Sequence, residues 1–130
     1  MGIIIAAHGT MAPAALELVS MFLGEQERVR CIDFQPGDSL DVLGERFQAA
    51  IQDLGREEGI MILTDLKGGS PCNVASLYQK TTEGIQVLHG FNIPMLLEIL
   101  ELREHRGDLK ELAEAALHAG AQGMDKITTD

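Results

Sequence analysis

The sequence predicts an α/β domain, a doubly wound open sheet of parallel strands in the order 2-1-3-4 with helices on both faces. Short apolar runs at residues 2–7, 29–34, 59–64 and 85–88 alternate with stretches of ten or more residues whose apolar positions recur at helical spacing. The first run is β-branched or apolar at nearly every position, the pattern of a strand covered on both faces. No repeat, linker or low-complexity segment interrupts the alternation. At 130 residues the chain has the length of one ordinary domain, residues 1–130, able to bury a sizeable core without disulfides or metals.

The strand at 2–7 leads into a helix over about 10–23. Its Leu16, Val19, Met21, Phe22 and Leu23 suit packing on a sheet, Thr10 caps its first turn, and Gly24 ends it. After the strand at 29–34, Pro36-Gly37-Asp38 is a turn, and Ser39 opens a helix whose Leu40, Leu43, Phe47, Ala50, Ile51 and Leu54 recur at helical spacing until Gly55. The third strand, 59–64, runs into the glycine-rich turn Gly68-Gly69-Ser70-Pro71 and a third helix. The fourth, 85–88, precedes a helix begun by Asn92-Ile93-Pro94 and running to about 103. Asp108 caps a last helix over 109–119, and residues 124–129 are read as a short final strand.

Composition excludes several functions. Hydrophobic residues make up 45% and charged residues 23% of the chain, close to the globular average. Ten basic residues against twenty acidic ones give a formal charge of −10, which argues against a nucleic-acid binder. Cys31 in an apolar run and Cys72 after a proline do not form a disulfide framework, and a reducing cytoplasm fits them better. The apolar N-terminus has no basic lead and is too short for a signal peptide. No run approaches the ~20 residues of a membrane helix, so no direct membrane insertion is expected.

In an open parallel sheet, ligands bind beyond the carboxyl ends of the strands where the strand order reverses. With the order 2-1-3-4, strands 1 and 3 lie side by side there, and their loops carry His8 and Asp65. A carboxylate that accepts from one ring nitrogen fixes the tautomer and leaves the other nitrogen with a free lone pair, which makes an oriented nucleophile. An Asp at a strand end is also a common cap of the following turn, and that reading stays open. In the turn at 68–71, two glycines allow backbone N–H groups to approach a ligand, Ser70 is a good N-cap with a hydroxyl, and Pro71 suits the first helical position. Helix N-termini attract phosphate, and the helix after Gly9 and Thr10 adds a second positive end. These parts suit phosphoryl transfer through a histidine: His8 as nucleophile, Asp65 orienting it, Ser70 contacting the phosphoryl group, and Gly9, Thr10, Gly68 and Gly69 around the phosphate. The scheme needs no metal and no cofactor, and the chain lacks a Walker-type Gly-Lys-Ser/Thr loop. Lys67 reads as a solvated loop lysine.

The chain resembles the enzyme IIA component of the mannose family of the bacterial phosphoenolpyruvate-dependent sugar phosphotransferase system (PTS), over essentially its whole length. The matching stretches are Ala-His-Gly at 7–9, Leu-Gly-Glu-Gln-Glu at 23–27, Ile-Asp-Phe-Gln-Pro-Gly at 32–37, Asp65 with Gly-Gly-Ser-Pro at 68–71, and Gly-Phe-Asn-Ile-Pro-Met-Leu at 90–96. The resemblance implies that His8 accepts a phosphoryl group on Nε2 from the phosphohistidine of HPr and passes it to enzyme IIB, which phosphorylates sugar entering through membrane subunits IIC and IID. It implies that Asp65 bonds Nδ1, that Ser70 lies near the phosphoryl group, and that residues 124–129 form a strand exchanged within a homodimer. A cytoplasmic protein peripherally associated with the transporter follows from the same resemblance. The chain departs from some relatives at Leu66-Lys67, where they carry Thr-Trp, and at Thr10, where an aromatic is expected. These departures bear on partner specificity more than on chemistry.

Rival readings rest on fewer residues. The phosphotransferase subunit of dihydroxyacetone kinases has an early histidine on this fold, but Gly-Gly-Ser-Pro and Asn-Ile-Pro-Met favour the sugar-transport family. A sirohydrochlorin-type chelatase would use His8 with His89 as metal ligands, a thin ligand set without a third group. A regulatory domain phosphorylated on His8 without onward transfer is a third reading, and Cys72 as a thiol nucleophile at a helix start ranks last. His105 and His118 lie in charged helical surroundings and read as surface groups.

Overall fold

The structure is a computed structural model that describes residues 1–105 and 107–129. The strands are β1 (Gly2–His8), β2 (Val29–Phe34), β3 (Ile60–Thr64) and β4 (Ile85–His89); the helices are α1 (Met11–Leu23), α2 (Leu40–Leu54), α3 (Ser70–Thr81), α4 (Ile93–Leu102) and α5 (Leu109–Gln122). All strand pairings are parallel, in the expected order β2-β1-β3-β4.

Alternation along the central strands sorts the core into two layers. Ile3, Ile5 and Ala7 of β1, with Met61 and Leu63 of β3, meet Val19 of α1, Leu96 and Ile99 of α4, and Leu112 of α5. Ile4 and Ala6, with Ile60 and Ile62, meet Leu43, Phe47 and Ile51 of α2 and Ala75 of α3. Both faces of β1 and β3 are covered, so their side chains are apolar at successive positions. The phenol of Tyr78 donates to the carbonyl of Gly44 at 3.0 Å, joining α3 to α2.

Three details depart from expectation. In α1 the sheet-facing positions are Ala12, Ala15 and Val19, with Leu16 and Leu23 beside them, whereas Met21 and Phe22 are 81% and 71% exposed. Successive helical residues point about 100° apart, so 21, 22 and 23 cannot all face one sheet, and the alanines let the helix approach closely. The helix expected to stop at Ala119 continues to Gln122, since Gly120 is buried against Met95 and tolerated inside it. Residues 124–129 form no strand within this chain, and Met124 and Ile127 stand 68% and 89% exposed. A strand exists only through a neighbour, and none is offered there within this chain.

The outer edges of the sheet are occupied by side chains. On β2, Arg30 Nη1 donates to the Val29 carbonyl at 3.1 Å and Arg46 Nη1 to the Asp33 carbonyl at 2.7 Å. On β4, the Val87 N–H donates to Gln79 Oε1 at 2.6 Å, and Gln86 Nε2 donates to the Val87 carbonyl at 3.2 Å. Each contact satisfies one outward backbone group, while the other outward groups of β2 and β4 receive no strand partner within the described residues. The 23–27 loop lies at the amino ends of the strands, away from His8. There Arg103 gathers the carbonyls of Met1, Glu27 and Arg28 with the Gln26 side chain.

Phe47 is fully buried against β1 and β3. Phe47→Ala should lower the unfolding free energy by about 3–5 kcal/mol, read as a fall in the urea midpoint at unchanged slope.

Candidate functional site

The site grows from one register. β1 lies between β2 and β3, and His8, its last residue, stands opposite Phe34. Thr64, the last residue of β3, stands opposite Ala6, so Asp65 follows at the level of Ala7, one residue short of His8, and its side chain spans the difference. Thr64 is fully buried; its hydroxyl donates to the Leu88 carbonyl at 3.0 Å, and its own carbonyl accepts from the Phe91 N–H at 3.2 Å. That bracing fixes the strand end from which Asp65 projects.

Asp65 Oδ2 accepts from the backbone N–H of His8 at 3.0 Å and lies 2.9 Å from His8 Nδ1. The carboxylate thus serves the imidazole, and the turn-cap reading does not describe what it does. Holding the proton on Nδ1 leaves the Nε2 lone pair unengaged among the described residues. The His8 side chain is 45% exposed, open at the surface and not enclosed. Gly9 turns the chain immediately after it with φ +62°, and its N–H donates to the Phe34 carbonyl at 2.9 Å. The Phe34 ring meets the imidazole edge to face, centroids 5.9 Å apart and planes at 76°.

The glycine-rich turn comes to the same place, with a correction to its roles. Gly69, not Ser70, is the N-cap of α3; Ser70 is the first helical residue, half-buried, and Pro71 follows it. Gly68 takes φ +85° in the turn, and Asn73 Nδ2 donates to its carbonyl at 3.2 Å. Thr10 occupies the N-cap position of α1 but makes no capping bond. Its ψ of 20° does not swing the hydroxyl over the first turn as the extended backbone of a working cap does. By contrast, Ser39, Asn92 and Asp108 have extended backbone and accept from Val42, Met95 and Lys110, respectively. The two helices that start beside His8 are therefore the two without a side-chain cap.

Other singled-out residues lie apart. Lys67 is exposed on the turn, and His105 and His118 are exposed too. His89 ends β4, exposed, and β3 separates it from β1, placing its backbone roughly 10 Å from that of His8. Cys72 is buried in the first turn of α3. Burial, with the Asp33 carboxylate beside it, pushes the Cys31 thiol up to about 11. Among the described residues no three His, Cys, Asp or Glu side chains gather as metal ligands. The sequence marks Phe34 only within the 32–37 stretch of the resemblance, with no role of its own, and Thr64 only as the end of the third strand. Strand order could have pointed to Phe34, which lies one strand over from His8, whereas nothing local marks Thr64.

The site is thus an imidazole braced by a carboxylate, facing open surface at the switch point of a doubly wound sheet and flanked by two uncapped helix starts. The family model described as "PTS system fructose IIA component", EIIA-man, matches residues 2–117. The chain is 39% identical over 125 residues to the PTS system mannose-specific EIIAB component of Escherichia coli K12, covering 96% of this chain and 39% of that one. It therefore spans well under half the length of that relative. It is 29% identical over 133 residues to the PTS system fructose-specific EIIA component of Bacillus subtilis 168, covering 98% of this chain and 91% of that protein. The crystal structure of phosphotransferase system component EIIA from Streptococcus agalactiae superposes with a TM-score of 0.89 at 31% identity, covering 96% of this chain and 95% of that one. The chain belongs to the mannose-type family of PTS enzyme IIA components. The chelatase and dihydroxyacetone kinase readings are not favoured by these comparisons.

Burial pushes the Asp65 carboxyl up, but the backbone and ring hydrogen bonds from His8, with the imidazole's charge, outweigh it and hold the group below its ordinary value. The unfolded chain thus takes up the proton first as pH falls. The stabilisation is fully present above about pH 4 and is lost as pH drops through the lower folded value. Urea titrations of wild type and Asp65→Asn at pH 5 and pH 3 should show a stability difference that shrinks on acidification; a constant difference would mean that His8 does not hold the carboxylate.

Proposed function

We propose that this protein is a phosphoryl carrier in sugar uptake, taking a phosphoryl group from phosphorylated HPr onto His8 and passing it to enzyme IIB of a mannose-family transporter, whose membrane subunits IIC and IID it reaches only through IIB. The observation that carries the proposal is the 2.9 Å contact between His8 Nδ1 and Asp65 Oδ2 with Nε2 left open. The Nε2 lone pair attacks the phosphorus of the donor phosphohistidine. A P–N bond forms at Nε2 as the donor's N–P bond breaks, and that bond's electron pair returns to the donor imidazole. With Nδ1 still protonated, phosphorylated His8 carries a cationic ring, which the Asp65 carboxylate stabilises. Onward transfer repeats the displacement with a histidine of IIB as nucleophile.

Ser70 and the N–H groups of Thr10, Gly68 and the first turns of α1 and α3 would receive the phosphoryl oxygens, whereas the N–H groups of Gly9 and Gly69 already donate to the Phe34 and Leu66 carbonyls. The two uncapped helix starts support this, because free first-turn N–H groups favour anions. The exposure of His8 suits delivery between proteins, where two histidines must approach a shared phosphorus. No described helix is long and apolar enough to cross a membrane, which fits a cytoplasmic component that meets the transporter peripherally. The exposed 124–129 segment supports a homodimer that exchanges this strand.

With labelled phospho-HPr, the wild-type protein should acquire an acid-labile phosphoryl group and His8→Ala none; unchanged labelling of His8→Ala overturns the proposal. Asp65→Asn should fold but accept phosphate about 10²–10⁴-fold more slowly, the range expected when a carboxylate behind an imidazole is lost. In sedimentation velocity the full chain should run as a dimer and a chain ending at Gly123 as a monomer; identical behaviour would exclude strand exchange.

A further inference from the structure

Gly69 is a glycine that its own backbone does not require. Its φ of −75° and ψ of 160° are open to any residue, unlike the φ of +85° at Gly68 just before it. Space excludes a side chain instead. A Cβ on Gly69 would stand 2.7 Å from His8 Cε1, 3.5 Å from Nε2 and 3.3 Å from the Leu66 carbonyl oxygen. Ordinary contact begins at 3.4 Å, so the ring would have to retreat by most of an ångström.

The imidazole has little room to retreat. Asp65 Oδ2 holds Nδ1 at 2.9 Å, and the Phe34 ring stands edge to face with centroids 5.9 Å apart. Moving away from residue 69 stretches the Asp65 bond or presses the ring on Phe34. Turning the ring over would bring a carbon to Asp65 in place of Nδ1. A side chain at 69 would also crowd the space beside Nε2, where an incoming phosphorus must sit.

We propose that Gly69 and Phe34 are positioning residues for phosphoryl transfer: the bare edge of Gly69 and the Phe34 ring form a slot that keeps the His8 imidazole in one orientation, with Nε2 as its one open nitrogen. The proposal rests on the phosphoryl-carrier reading for its consequence, but the slot itself is a property of the unphosphorylated protein. Glycine at 69 thus serves the neighbouring side chain, while glycine at 68 serves the turn.

Gly69→Ala is allowed by the backbone but must displace the ring, so it should fold and melt somewhat below the wild-type temperature. Nitrogen NMR of the His8 ring, followed through a pH titration without HPr, should show a single Nδ1–H tautomer in wild type. Gly69→Ala should show a mixture of tautomers, and Phe34→Leu a smaller change in the same direction. Transfer from phospho-HPr to Gly69→Ala should fall about 100-fold in maximal rate, the cost of a displacement near 1 Å, with the KM for HPr little changed. Wild-type ring signals in both variants overturn the slot, and altered signals with a wild-type rate overturn its role in transfer. If the wild-type protein itself accepts no phosphate from HPr, the carrier reading fails, while the ring signals still decide whether the slot exists.

Discussion

The pairing of β1 with β2 on one side and β3 on the other is the constraint on which the site depends. Because β1 is flanked by the strands that follow it in the two directions of winding, its carboxyl end meets the loops of both. His8 thereby gains Phe34 from one neighbour and Asp65 from the other, partners 26 and 57 residues away in the chain. The apolar alternation that buries Ile3, Ile4 and Ile5 fixes this register, since a slip of one residue would turn each of those side chains to the opposite layer. Core packing and chemical geometry are in that sense one specification.

The helix starts divide along functional lines. α2, α4 and α5 are closed by Ser39, Asn92 and Asp108, each contributing about 1 kcal/mol of the kind a cap supplies. α1 and α3 begin beside the imidazole without that closure, because Thr10 has the wrong ψ and Gly69 has no side chain. The protein forgoes two stabilising caps at the place where an anion would supply the missing acceptors. The same economy appears around His8 itself, where a positive-φ glycine turns the chain away and leaves the ring exposed.

Much of this was legible in the sequence because it rests on local periodicity. The strands at 2–7 and 29–34 and the helix after Ser39 follow from runs and spacings that any neighbour would satisfy, and strand order followed from the alternation of elements. The pairing of His8 with Asp65 was within reach once that order was assumed. The errors have a common origin in geometry that residue type does not encode. Phe22 is apolar yet points to solvent because its helix presents alanines to the sheet, and Thr10 is a capping residue whose backbone is not extended. Ser70 lies one position inside the helix it was expected to cap.

By itself the sequence determined the layers, the order of the strands and the ends at which His8 and Asp65 fall, since these follow from hydrophobic period and chain connectivity. Only the tertiary structure decided that Asp65 Oδ2 grips both the backbone and the ring of His8, that Phe34 stands edge-on to the imidazole, and that Gly69 is bare because the imidazole occupies the space of its side chain. The physical reason is range. Periodicity acts over a turn or a strand, whereas a hydrogen bond or a steric contact across strands is set to within tenths of an ångström by packing that the whole chain shares.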